Sequence, residues 1–229
     1  MMIGAEGNDG AERPRLTEPD LTELSRLSQL RILQKGQSLF LAGELSRCVL
    51  VVKSGRLKLS HISAEGRELI VSFLDPGDLL VIPGDRLVKG SVPLVEGLGE
   101  AVLLLVPQSD FEAFLRARPA SGLTVIRQLA DRVRALEARI DEMVFKDTRG
   151  RLATTLLRLA EAYGHRGLAG AVGVGLPITQ QDLANLIGAS REMVSHALLQ
   201  WKREGWIELH RRSIVIRRTE ALESQESGR

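Results

Sequence analysis

A single cysteine, Cys48, is all that the 229 residues contain. No intrachain disulfide, cysteine-ligated iron–sulfur cluster or structural zinc–cysteine site is therefore expected within one chain. Histidine is nearly as scarce, with four in the whole sequence and only His61 before residue 146. A haem or metal sensor in that front portion would have to draw on His61, Cys48 and Met1 or Met2. Cys48 opens an apolar strand and reads as a small buried hydrophobe, and His61 ends a strand and reads as a surface residue. There is no histidine–carboxylate cluster of the kind a cupin enzyme needs, no Ser/His/Asp set and no Gly-rich phosphate cradle. Neither catalysis nor a metal site is expected. Long apolar runs are missing too. Nothing is long enough to span a bilayer, and Met1–Arg15 is charged and Gly-rich without the apolar centre of a signal peptide. A cytoplasmic location with no membrane partner follows as the expectation.

What the chain does contain is 44% hydrophobic and 26% charged residues, the balance of a globular protein with room for one or two domains. No internal repeat is visible. The net charge of +2 conceals an asymmetry: Lys146–Arg218 hold 12 Lys/Arg against 6 Asp/Glu, whereas residues 1–145 hold 18 against 20. A basic C-terminal portion suits a partner made of phosphates.

The most informative residues lie in that basic portion. Leu183, Ala184, Leu186 and Ile187 form one apolar helical face, and Gly188 stands where a helix ends with positive φ. Ser190 is a natural N-cap for a second helix that carries Met193, Val194, Ala197 and Leu198 inward. The pattern is a helix-turn-helix whose recognition helix begins at Arg191. An ordinary αα-hairpin with a solvated charged face would show the same bare pattern. The sequel separates the two, because Trp206–Leu209 and Ser213–Arg217 read as short strands around the basic turn His210-Arg211-Arg212. This is a wing beside a recognition helix, and its expected partner is double-stranded DNA. Arg191 can bond guanine O6 and N7, and Glu192 can accept from a cytosine amino group or orient Arg191. Ser195 and His196 are expected at base edges or phosphate. Ser190, Thr179, Gln180, Gln181, Arg211 and Arg212 are expected to serve the cap and the DNA backbone.

Upstream the period changes. Residues 1–16 read as disordered, and Thr17–Leu27 as a short helix capped by Thr17. Strands are expected at Gln37–Leu41, Cys48–Val52, Leu57–Ile62, Leu69–Leu74, Leu79–Ile82 and Ala101–Val106. Turn signals separate them, as in a β-barrel or sandwich. Helices follow at Ser109–Arg118 and from Pro119 to Phe145. In the second, Ile126, Leu129, Val133, Leu136, Ile140 and Met143 recur at alternating spacings of three and four, a heptad seam. Such a seam either packs on the chain's own barrel or joins two chains. A second column, Leu123, Ala130 and Val144, offers itself for the barrel and frees the seam for a homodimer. Lys146–Gly150 reads as a hinge or N-cap region, Arg151–Tyr163 as the beginning of the second domain, Gly164–Gly175 as a Gly/Ala-rich loop and Leu176–Ile178 as a short strand. Thr219–Arg229, without apolar period, reads as a mobile tail.

Several of these segments resemble the Crp/Fnr transcription regulators. They are Phe40-Leu41-Ala42-Gly43-Glu44, Val51–Leu59, Gly66-Arg67-Glu68-Leu69-Ile70, Leu74-Asp75-Pro76-Gly77-Asp78-Leu79, Arg151-Leu152-Ala153, Leu156–Ala160 and Ser190–Ser195. The resemblance covers roughly Leu21–Ile216 and implies an α+β chain. Its parts are an N-terminal double-stranded β-helix (jelly-roll) sensor barrel at 17–118, a dimerisation helix at 119–145, and a C-terminal winged helix-turn-helix domain at 146–218, before a tail at 219–229. It also implies a parallel homodimer, a pseudo-palindromic DNA site and RNA polymerase as a further partner. An activator is the expectation, although these residues leave activation and repression open. Where His196 stands, relatives often carry a second arginine, so the half-site is expected to depart from the common one.

The resemblance also sharpens what the barrel lacks. Cyclic-nucleotide-binding relatives place a Gly-Glu pair after the Pro-Gly-Asp turn and an Arg-Ser or Arg-Thr pair some nine residues on. Here those places hold Val81-Ile82 and, as best aligned, Ser91-Val92. A buried phosphate without charged partners is prohibitively costly, so cyclic AMP is disfavoured and no cofactor is assigned. Arg86 and Lys89, in the loop Pro83–Pro93, leave open another anion such as a carboxylate metabolite. An empty barrel with a solvated basic loop is the equal alternative, and haem the weaker one.

Overall fold

The computed structural model describes residues 13–41, 43–82, 90–167, 171–210 and 213–226. They fall into two compact units, Pro14–Ala138 and the residues from Arg139 onward.

The first unit starts with Pro14–Leu16, packed rather than disordered. Leu16 is buried, its N–H donates to the Gly77 carbonyl, and Arg15 pairs with Asp75 at 2.8 Å. Helix α1 (Glu18–Arg26) follows, capped by Thr17 and Asp20 in a reciprocal box that satisfies two orphan N–H groups. Eight strands come next: β1 (Gln29–Leu33), β2 (Ser38–Phe40), β3 (Cys48–Ser54), β4 (Leu57–Ser63), β5 (Glu68–Leu74), β6 (Leu79–Val81), β7 (Ser91–Gly97) and β8 (Ala101–Pro107). They form two four-stranded sheets, β1-β8-β3-β6 and β2-β7-β4-β5, the jelly-roll arrangement of an α+β chain. Two strands were not expected, β1 and β7, and Ser91 lies at the start of the latter rather than in a loop.

Leu50 and Val52 of β3 face Leu57, Leu59, Leu74 and Val95 of the other sheet in one apolar core. Val49 and Val51 point the opposite way, under α1, α2 (Gln108–Ala117) and the start of α3 (Pro119–Phe145). Strand β3 is covered on both faces, which is why it reads as a continuous apolar run. Each such Leu or Val is worth about 1.5–3 kcal/mol when fully buried.

The column of α3 that meets the barrel is not Leu123, Ala130 and Val144, since all three are exposed. Ser121 and Val125 are buried instead. Below them the Gln128 amide donates to the Gly77 carbonyl at 2.8 Å and accepts from the Leu79 N–H at 3.2 Å. One turn on, Arg132 donates to the Leu79 carbonyl at 3.5 Å. A polar column won because β6 and its turn offer backbone groups that need partners.

The second unit contains α4 (Thr148–Tyr163), capped by Asp147, then α5 (Gln180–Ile187) and α6 (Arg191–Arg203). A sheet ordered β11-β12-β10-β9 combines β9 (His165–Arg166), β10 (Val172–Gly173), β11 (Ile207–His210) and β12 (Ser213–Ile216). The expected loop after α4 thus contributes two short strands. The expected strand Leu176–Ile178 is not one, although Leu176 and Ile178 are buried. The tail also differs from expectation, for Thr219–Glu226 form helix α7, packed on α4 through fully buried Leu222. Lys146 pairs with Glu226 at 3.7 Å, and Gly150 lies against the Gln225 carbonyl, where an added Cβ would sit tightly, at 3.1 Å. Among the described residues, no helix is long and apolar enough to cross a membrane.

Candidate nucleic-acid interface, pairing seam and barrel interior

Helix α5 starts on a second reciprocal box. The Thr179 hydroxyl and N–H both donate to the Asp182 carboxylate, at 2.6 and 2.9 Å, and the Asp182 N–H returns a bond to the hydroxyl at 3.0 Å. Thr179 therefore spends its donors on the cap. Gln180 is half-buried and Gln181 exposed at the same helix end, where backbone N–H groups favour an anion. At the other end Gly188 adopts φ +63° and its N–H bonds the Ala184 carbonyl. Two arginines take the remaining carbonyls: Arg139 donates to Leu186 at 2.7 Å and Arg151 to Ile187 at 3.1 Å. Cations at a helix C-terminus oppose its partial negative charge, so both ends of α5 are pinned before α6 begins.

The Ser190 hydroxyl caps α6 by accepting from the Met193 N–H at 3.2 Å. Val194, Ala197, Leu198 and Trp201 form its inner face, and Trp201 stacks on Trp206 with centroids 6.3 Å apart. Arg191, Glu192 and His196 are exposed and Ser195 half-exposed. They occupy neighbouring positions over the first turns, one row on the helix surface. The Glu192 backbone N–H and the Ser190 hydroxyl hold the Glu192 carboxyl below the usual carboxylate range, with the Arg191 charge assisting. It therefore stays ionised and can only accept. Met193 does not point inward as expected but is exposed, as is Leu199 farther along. The signal was present: Met193 lies one residue, or ~100°, from the centre of the inner face at Val194. In the wing, His210 is exposed near Glu208, and Arg211 and Arg212 lie outside the described residues.

The six seam residues of α3 are all exposed, Ile126, Leu129, Val133, Leu136, Ile140 and Met143 each between 41% and 62%. β-Branched residues occupy every first heptad position (126, 133, 140), and unbranched Leu, Leu and Met every fourth (129, 136, 143). That distribution favours a parallel two-stranded coiled coil.

Of the residues expected around an effector, the three that are described, Val81, Ile82 and Ser91, do not converge. Val81 is 46% exposed on one side of β6, whereas Ile82, at 2%, lies among Leu41, Leu50 and Leu105 in the barrel core. Ser91 pairs with Ser63 at the far end of β4, and Arg86 and Lys89 lie outside the described residues. Cys48 packs against the same core, where burial raises its thiol. His61 is half-buried rather than a surface residue, and burial keeps its ring neutral by lowering its pKa. Among the described residues no group of three or more acidic, Cys or His side chains is placed to hold a metal ion.

A capped second helix with a winged sheet, joined by a long helix to a jelly roll, defines a class of DNA-binding transcription regulator. Comparison with known proteins agrees with that class. A cyclic nucleotide-binding domain family matches residues 30–118, and a Crp-like helix-turn-helix domain family matches residues 150–225. The cyclic AMP receptor protein of Thermus thermophilus is 30% identical over 200 residues, covering 85% of this chain and 87% of that protein. A CRP-like cAMP-activated global transcriptional regulator of Mycobacterium tuberculosis is 29% identical over 193 residues, covering 82% and 84%. A mutant of CooA from Carboxydothermus hydrogenoformans shares the fold, with a TM-score of 0.77 at 24% identity over 94% of this chain and 99% of that one. The chain belongs to the Crp/Fnr family of transcription regulators.

Proposed function

We propose that this regulator is a homodimer that binds a pseudo-palindromic DNA site and does so without cyclic AMP. The observation that carries the DNA reading is the row Arg191, Glu192, Ser195 and His196 on the open side of α6, fixed by caps on both helices of the motif. In this reading the α3 seams of two chains pair, and two recognition helices enter successive major grooves about 34 Å apart. Arg191 reads a guanine by a bidentate bond, and Glu192, held ionised, accepts from a cytosine amino group. Ser195 and His196 meet base edges or phosphate. Gln180, Gln181, Arg211 and Arg212 serve phosphates, with Thr179 and Ser190 shaping the helix ends that carry them. RNA polymerase is the partner through which a bound activator would act.

The two relatives named for cyclic AMP support a ligand-binding ancestry for the barrel, and the side chains here argue against that ligand. The place aligned with the family glutamate is Ile82, sealed in an apolar core. A ribose hydroxyl there would lose its bonds to water and gain none.

Two titrations test the proposal. A mobility shift with operator-like duplex is expected to weaken steeply between two salt concentrations, as released counterions require. Calorimetry with cyclic AMP is expected to show no binding heat. Saturable cyclic AMP binding at micromolar concentration would overturn the ligand claim, and salt-independent or absent DNA binding would overturn the regulator claim.

A further inference from the structure

In the heptad set by Ile126, Leu129, Val133, Leu136, Ile140 and Met143, the positions flanking the seam are Val125, Arg132 and Arg139 on one side and Ala130, Glu137 and Val144 on the other. In a parallel pair, each residue of the first set faces the member of the second set in the partner's following heptad. Val125 then meets Ala130 and Arg139 meets Val144, neither a charge pair. Arg139 is already engaged with Leu186 of its own chain. The remaining match is Arg132 with Glu137.

Both are available in the single chain. Arg132 is half-buried, and among the described residues its guanidinium has the Leu79 carbonyl, at 3.5 Å, as hydrogen-bond acceptor. Burial disfavours its charge, and the nearby Asp78 carboxylate offsets that only in part, so a further anion would stabilise it. Glu137 is exposed and, among the described residues, makes no ion pair or hydrogen bond. Asp131, next to Arg132 in sequence, is taken by Arg134.

We infer that Arg132 of each chain forms an ion pair with Glu137 of the second copy, and that these two symmetric pairs fix the dimer as parallel and in register. An antiparallel arrangement sets like flanks together, Arg132 against Arg139 and Glu137 against its own kind, which repels. Because Arg132 also donates to the Leu79 carbonyl, each pair ties β6 of one barrel to the partner's helix.

This inference rests on the paired reading of α3, and the test separates the two. Sedimentation equilibrium on the unmodified chain comes first, with a dimer expected. Arg132→Glu and Glu137→Arg each place like charges across both symmetric contacts and should weaken self-association roughly tenfold or more. Mixed together, the two variants match at both contacts. Native mass spectrometry should then show heterodimer well above the statistical half. A statistical mixture, with unweakened homodimers, overturns the ion pair while leaving the dimer intact. A monomeric unmodified chain overturns the paired seam itself. Should Arg132→Glu disturb its own barrel turn, exposed Glu137 decides alone. The inference requires Glu137→Arg to dissociate more readily than Glu137→Gln, and equal constants contradict it.

Discussion

The outer row of α6 and the interior beside β6 offer another molecule opposite kinds of chemistry. On α6, Arg191 and Glu192 keep the donor and acceptor that base edges require, and the surrounding caps hold them in water-accessible positions. Beside β6, the places that the resemblance aligns with a nucleotide-binding Gly-Glu pair hold Val81 and Ile82, one turned outward and the other sealed in the core. A polar row facing solvent is cheap to keep and useful only when DNA arrives. A charge inside an apolar barrel is costly whenever the ligand is away. The contrast teaches that the two places follow opposite rules of burial within one chain, a polar row kept in water and an apolar fill kept from it.

The largest effect that would break this contrast comes from the element both halves share. Leu136→Asp puts a carboxylate in the middle of the seam, and sedimentation should show monomers at micromolar concentration. Operator affinity should fall by roughly a hundredfold or more, since the second half-site contact is no longer intramolecular. Next comes the barrel. Ile82→Glu should cost about 3 kcal/mol in urea denaturation at neutral pH, a buried unpaired charge, and should confer no cyclic AMP binding. A cost under about 1 kcal/mol would mean that water already reaches this interior. On the DNA side, Arg191→Ala should lose roughly 1–3 kcal/mol per half-site contact and relax preference at one base pair, leaving barrel stability untouched. A binding selection with unchanged preference would remove Arg191 from the readout.

The smallest expected effect concerns the cap of α1. Burial pushes the Asp20 carboxyl up, but bonds from the Thr17 hydroxyl and N–H and from Ser121, with the Arg118 charge, bring it below its ordinary value. A lowered folded pKa means stabilisation that is present above the unfolded value and lost as pH falls through the folded one. Asp20→Asn should therefore lower the melting temperature by a few degrees at neutral pH. The difference from the unmodified chain should shrink in strong acid. A constant difference across pH would place the role of Asp20 in packing alone.

Local chemistry made much of this molecule legible in its sequence. Gly188 followed by Ser190 announced the turn and the recognition helix, because positive φ and an N-cap are properties of single residues. The expected strands from Cys48 to Val106 matched observed ones within a few residues for the same reason, with turns marked by Gly, Pro and Asp. Strand β7 was hidden by Pro93, which usually excludes a strand interior. Here its carbonyl accepts from Leu41, so the missing N–H lies on that same edge, past the end of β2, where only the reciprocal bond to Leu41 is forgone and the ladder with β4 is untouched. Strand β1 was hidden because four of its five residues are exposed and show no alternation. Helix α7 has one fully buried side chain, Leu222, too little for a period. The packing column of α3 was missed because it is carried by Gln128 and Arg132, whose partners are backbone groups 49 and 53 residues away in sequence. The roles of Arg139 and Arg151 were illegible for the same reason, since each binds a helix end no spacing rule connects to it.

A binding selection with the unmodified chain on random duplex, in the absence of any nucleotide, tests the central claim most directly. Enrichment of a two-fold pseudo-palindrome with half-sites one helical turn (about 34 Å) apart is the predicted result. A lone asymmetric half-site, or no enrichment until cyclic AMP is added, would contradict it.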